Sequence, residues 1–177
     1  GIGGVGFMTI QQPGEDPVVI DYFGRAPQAA TPDMFELEGG EQATMVGFGG
    51  VKDQANAYGP LSVLVPGMVA GMALALERYG TKELAEVIAP AIRFAEEGFI
   101  VDWYRGMLLA SQQETLRRDA ETARIFLSNG TPPAPLFGQA PPRIRQPELA
   151  QTLRRIAAQG PDGFYRGEVA ERIAAHV

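Results

Sequence analysis

The sequence predicts an α+β chain, a β-hairpin followed by a mainly helical remainder. Two short runs rich in β-branched and aromatic residues come first, Val5–Gln12 and Val18–Phe23, joined by the turn residues Pro13-Gly14-Glu15-Asp16-Pro17. From Met68 onward, apolar residues recur at helical spacing between Gly and Pro stops. The β-α-β-α alternation of a doubly wound parallel sheet is missing. The chain reads as one domain in three parts: 1–27 as the hairpin, 28–60 as an irregular stretch and 61–177 as mainly helical.

The elements follow in order. Gly, Pro and small polar residues dominate 24–60, where the apolar patches keep no period, so one short helix near Met34–Leu37 is all that is expected. Leu61–Val65 reads as a strand or an extended approach to Pro66-Gly67. Met68–Tyr79 reads as a helix stopped by Gly80. Thr81 is placed to cap the next helix, its hydroxyl taking a free first-turn N–H. Leu84, Val87, Ile88, Ile92 and Ala95 share one face of that helix. Pro90 should kink it, because proline removes a hydrogen bond and clashes one turn back. Gly98 ends it. A third helix is expected over about Asp102–Leu127. Gly130–Pro142 holds seven prolines or glycines, which marks a loop. Leu149, Leu153 and Ile156 define a fourth helix, closed by Gly160-Pro161, and a fifth runs from about Gly167 to the end.

Composition narrows the function. Fifteen basic and 21 acidic residues give a net charge of −6, and the basic residues are scattered. Nucleic-acid binding, which needs a basic stripe to neutralise phosphates, is not expected. The region 61–76 is broken by Pro66, Gly67 and Gly71 and is too short to span a bilayer. The absence of cysteine excludes disulfides, thiolate metal sites and a cysteine nucleophile within this chain. One histidine, His176, would have to serve any Ser-His-Asp triad, but it sits at the end of a helical pattern and reads as a solvated helix residue. With no cysteine and one histidine, no metal site is expected. The chain starts at Gly1, inside a motif and not at a Met, so an upstream segment is expected and the compartment is left open.

Gly1, Gly3 and Gly6 fit the G-x-G-x-x-G spacing of a dinucleotide-binding loop. That motif works because a helix begins within it and holds the pyrophosphate on its free N–H groups. Here Phe7–Gln12 continues as a strand and ends in a turn. Asp21, at a plausible distance for a ribose contact, is a lone match. The glycines read instead as a tightly packed entry into a strand, or as backbone N–H groups bordering a substrate site.

Several segments together resemble the γ-glutamyltranspeptidases, a family of N-terminal-nucleophile hydrolases. Gly1-Ile2-Gly3-Gly4-Val5-Gly6-Phe7 is similar to the family's G-I-G-G-G-G-F, with Val5 in place of a glycine. Ile20-Asp21-Tyr22-Phe23-Gly24-Arg25-Ala26-Pro27 resembles I-D-x-R-E-x-A-P. Pro66–Gly71, Leu74–Thr81, Ala89–Ile92 with Gly98-Phe99, Ile125–Leu127, Gln146–Ala157 and Gly160–Gly167 match further family segments in the same order. The resemblance implies an αββα four-layer sandwich, of which this chain would hold the hairpin and the helical layer of the large subunit. It also implies a precursor that cleaves itself. A Thr then begins the small subunit and acts as nucleophile with its own α-amine as base. That Thr is expected downstream, so no catalytic residue is assigned here. The implied partners are the small subunit of the same precursor, a second heterodimer and a small γ-glutamyl or acyl amide substrate, with no cofactor.

One departure bears on specificity. The Arg of I-D-x-R-E is the family's clamp for the substrate α-carboxylate, a task suited to a planar guanidinium. This chain has Phe23 there and Gly24 in place of the Glu. Arg25 follows two residues after Phe23. Strand residues two apart share a face, about 7 Å apart by the strand rise. Arg25 and Phe23 are thus the candidate substrate-binding residues. Either Arg25 takes over the clamp, or it is a surface arginine and the enzyme is a cephalosporin-acylase-like or other amidohydrolase. A non-catalytic member that kept the fold is the remaining alternative.

Overall fold

The computed structural model describes residues 2–38 and 50–177. Gly1 and residues 39–49 of the predicted irregular stretch lie outside the described residues. The chain gathers into two compact units, one of Gly1–Glu83 with Gly160–Val177 and one of Leu84–Gln159.

In the first unit the hairpin forms as the sequence predicts. Strands β1 (Phe7–Ile10) and β2 (Val18–Asp21) run antiparallel, with Met8 opposite Ile20 and Ile10 opposite Val18. Gly14 takes the positive φ, 80°, that the connecting turn requires. The period of two puts Ile20 in the core and leaves Phe7 and Val19 exposed on the other side. A two-stranded hairpin is marginal alone. Helix α1 (Met68–Tyr79) packs on β2 and supports it.

That contact depends on Gly67 and Gly71, one helical turn apart. A Cβ on Gly67 would run into the Tyr22 carbonyl, and one on Gly71 into the Tyr22 side chain. Tyr165 then ties the chain's last segment to the same helix. Its hydroxyl donates to Pro66 O at 2.8 Å and accepts from Ala70 N–H at 3.2 Å. Ala70 carries one of the orphan N–H groups of the first turn, and the N-cap Gly67 offers no side chain to satisfy it. Tyr165 ends the short helix α7 (Asp162–Tyr165), and α8 (Gly167–His176) follows it, where the fifth helix is predicted.

One prediction in this unit fails and one holds in part. Met34–Leu37 is not a helix. Leu37 pairs instead with Val51 as an isolated bridge, flanked by Glu38 N–H to Gly50 O and Lys52 N–H to Glu36 O, both at 2.9 Å. Apolar residues without a helical period find their partners across the chain and not along it. Leu61–Val65 divides: Pro60–Ser62 forms a 3₁₀ turn, and Val65 then pairs with Arg25. Proline at the first position favours that turn because its φ is preset.

The second unit is built on α2 (Leu84–Glu97) and α6 (Pro147–Gln159), which pack against each other. Ala95 of α2 and Ala150, Leu153 and Ile156 of α6 form their buried stripe. Arg154 pairs with Glu96 at its margin. Pro90 lies within α2 without ending it. The helix starts at Leu84, three residues after Thr81, so Thr81 is not its N-cap. Gly98, at φ 81°, turns the chain into β3 (Phe99–Ile100), which pairs with β4 (Arg143–Ile144). This small sheet is absent from the sequence reading, because two-residue strands carry no period.

The predicted helix Asp102–Leu127 is three helices, α3 (Trp103–Ser111), α4 (Gln113–Arg117) and α5 (Ala120–Phe126). Asp102 caps the first, accepting from Arg105 N–H at 2.8 Å. Asp119 is extended (φ −118°, ψ 128°) and accepts from Thr122 N–H at 2.6 Å, which starts α5 anew. A short acidic side chain that bonds nearby backbone competes with helix continuation, and here it wins. The Gly/Pro loop follows as predicted, with Asn129 and Gly130 at positive φ and the Gly130 carbonyl held by Arg117.

Candidate functional site

The candidate segment named from sequence is Ile20–Pro27, and the structure holds its backbone at three points. Tyr22 N–H donates to Gly6 O at 3.0 Å, which extends the hairpin one residue past Asp21. The Asp21 carboxylate accepts from Phe23 N–H at 2.8 Å, a local turn that ends the strand. Arg25 and Val65 exchange both backbone bonds, at 3.2 and 2.8 Å.

Side chains on the inward positions explain the small residues around them. A Cβ on Gly6 would come within 3.0 Å of the Tyr22 ring. One on Gly24 would come within 2.7 Å of Leu64 Cβ and 2.9 Å of Val5 Cγ1. Tyr22 and Gly24 therefore face packed surroundings, whereas Phe23 and Arg25 are exposed.

Phe23 does not stand alone. Phe7 is the cross-strand partner of Asp21, and Phe23 lies two residues beyond Asp21, so the two phenylalanines are diagonal neighbours on one face. Their rings stack with centroids 5.7 Å apart and planes at 26°. Phe7 is 61% and Phe23 51% exposed. Arg25 makes no side-chain hydrogen bond or ion pair with a described residue. Phe23 is thus joined by Phe7, a member the sequence reading left out, while Arg25 is exposed two residues further along the chain. Phe7 was legible in principle, because the turn 13–17 sets the register that brings it diagonal to Phe23.

The dinucleotide reading does not fit. Gly6 leads into β1 and not into a helix, so no helix begins within the glycine stretch to hold a pyrophosphate. Asp21 is engaged with Phe23 N–H. His176 is exposed at the end of α8. No group of three or more His, Cys, Asp or Glu among the described residues is placed to hold a metal. No helix among them is long and apolar enough to cross a membrane.

The gamma-glutamyltranspeptidase family model matches residues 1–177. The chain belongs to that family. It is 39% identical over 175 residues to a glutathione hydrolase proenzyme of Pseudomonas sp. (strain A14), covering 98% of this chain and 28% of that protein. It is 36% identical over 180 residues to the acylase ACY 1 proenzyme of Pseudomonas sp. (strain V22), covering 100% of this chain and 30% of that protein. The crystal structure of Helicobacter pylori gamma-glutamyltranspeptidase superposes with a TM-score of 0.82 at 34% identity, over 97% of this chain and 46% of that one. The chain therefore spans under a third of the length of these curated relatives. The fold is the α+β one expected, a hairpin and a helical part of the N-terminal-nucleophile hydrolase sandwich.

Proposed function

We infer that this chain is the acyl-recognition part of an amide hydrolase or acyl transferase that autoprocesses and works through an N-terminal Thr. The Thr oxygen attacks the amide carbonyl while its own α-amine takes the proton; the amide C–N bond then breaks, the amine leaves with that proton, and the acyl group passes from the Thr oxygen to water or to an acceptor amine. The Thr comes from a small subunit outside this chain, and the mature protein is a heterodimer that pairs with a second copy. The chemistry needs no cofactor beyond the Thr, its amine and an oxyanion site.

The observation that carries the reading is the family segment Ile20–Pro27, pinned at three backbone points with Phe23 and Arg25 exposed. Arg25, free of described partners, supplies the guanidinium for an anionic group on the acyl side. Because Phe23 occupies the place of the family's Arg, acyl amides other than γ-glutamyl are the favoured substrates. The match to an acylase proenzyme supports this, as the match to a glutathione hydrolase supports γ-glutamyl transfer.

Intact mass and N-terminal sequencing of the purified full-length protein test the mechanism. The expected result is two fragments, the smaller beginning with Thr. An unprocessed chain, or one cut to expose a residue other than Thr, Ser or Cys, removes the enzyme reading. Turnover of glutaryl and γ-glutamyl p-nitroanilides then ranks the substrates, with glutaryl expected to be the better.

A further inference from the structure

We propose that Phe7 and Phe23 together form an aromatic wall that binds an apolar or flat portion of the acyl group, making Phe7 a specificity-determining residue. This rests on the substrate-facing reading of Ile20–Pro27 given above and names the substrate class for it.

The geometry supplies the wall. The two rings are an offset stack at 5.7 Å, so each fixes the other, and both remain more than half exposed. Their backbone is equally fixed. Phe7 lies in the strand ladder opposite Asp21, and Phe23 is held by the Asp21 carboxylate on one side and by the Arg25–Val65 pair on the other. A preformed surface of this kind binds without ordering costs of its own.

Charge decides what it accepts. The α-carbon of a γ-glutamyl group carries an ammonium and a carboxylate. An aromatic face has negative quadrupole density: it attracts the ammonium but offers the carboxylate no hydrogen bond, so the carboxylate would lose hydration without recompense. An alkyl or aryl portion loses no hydration of value there and gains contact. Arg25 is exposed two residues further along the segment, about 7 Å by the rise of an extended chain. An acyl group that is apolar against the rings and anionic at its far end satisfies both features, whereas one that sets its carboxylate against the rings satisfies neither.

The test uses the full-length mature protein with phenylacetyl, γ-glutamyl and acetyl p-nitroanilides. Phenylacetyl turnover is expected to exceed both others in kcat/KM by about tenfold, the scale of one aromatic contact set. Phe7→Leu keeps apolar volume and the hairpin but removes the ring. It should lower phenylacetyl kcat/KM several-fold through KM, lower acetyl kcat/KM much less, and leave the melting temperature close to wild type. Phe23→Arg should move the preference toward γ-glutamyl. Better γ-glutamyl than phenylacetyl turnover in the wild type, or an equal loss on all three substrates in Phe7→Leu, overturns the proposal. If no anilide is turned over, the proposed function falls by itself. Calorimetry with phenylacetate then decides the wall: saturable binding that weakens in Phe7→Leu upholds it, and no binding overturns it.

Discussion

Arg25 and Phe23 differ in what their surroundings ask of them. Phe23 is packed against Phe7, while the Arg25 guanidinium has no described partner. If Arg25 receives the far anionic end of the acyl group, Arg25→Ala removes a charge-assisted hydrogen bond worth about 1.5–3 kcal/mol. Glutaryl anilide kcat/KM should then fall at least tenfold, with acetyl anilide unaffected. Full turnover of the anionic substrate by the variant would show Arg25 to be an ordinary surface residue. The glycines make a separate residue-scale argument. Gly71 has no room for a methyl group against Tyr22, whereas a Cβ on Gly3 meets nothing within 4 Å. Gly71→Ala should destabilise by about 1–3 kcal/mol, as overpacking does, and Gly3→Ala by less than about 0.5 kcal/mol. Thermal melts of the two variants compare them directly, and equal melts would refute the packing account.

Among elements, the contact of α1 with β2 positions the candidate site, and Tyr165 secures it from 95 residues away in sequence. Tyr165→Phe keeps the ring but leaves Ala70 N–H and Pro66 O without their partner. A loss of about 1–2 kcal/mol is expected, with kcat/KM falling more than a melt measured far below the transition would suggest, because the start of α1 braces Tyr22. No loss on denaturant unfolding would mean that water replaces the hydroxyl. In α5 the Arg124 guanidinium bonds the Glu121 carboxylate at 2.6 and 2.7 Å and holds its pKa below the ordinary value. A carboxyl with a depressed folded-state pKa adds stability that is present above its unfolded pKa and lost as pH falls through the folded one. Both groups are exposed, so the effect is small. In Arg124→Met the Glu121 carboxyl should titrate at its usual value by NMR, and an unchanged titration would rule out the pair as the cause.

For the molecule as a whole, each compact unit has its own closure. The unit of residues 84–159 is closed by α2 against α6, where Ile156 is 2% exposed and Ala150 fully buried. Ile156→Ala should cost about 2–5 kcal/mol, the range for a deleted core side chain that leaves a cavity. A melt shifted by less than a degree would place Ile156 outside the cooperative core.

The hairpin, α1, the region of α2, α6 and α8 were legible because period two and period 3.6 survive over enough residues, with Gly and Pro marking the ends. The strand continuation after the glycines was legible too, and it disposed of the dinucleotide loop. What the sequence misplaced is local competition. Asp119 reads as an ordinary helix residue until its cap to Thr122 breaks the pattern, and Leu37 reads as helical until Val51 pairs with it. Phe23 and Arg25 could be named from the departure at Ile20–Pro27, but not the ring that Phe23 stacks on. By itself the sequence determined the family and the residues that depart from its motifs, through the resemblance of those motifs, and it determined the hairpin and the longer helices, through spacing along the chain. The tertiary structure alone decided that Tyr165 caps α1, that Gly67 and Gly71 make way for Tyr22, and that Phe7 meets Phe23. Those contacts join residues far apart in sequence, and only closure of the fold brings them within reach.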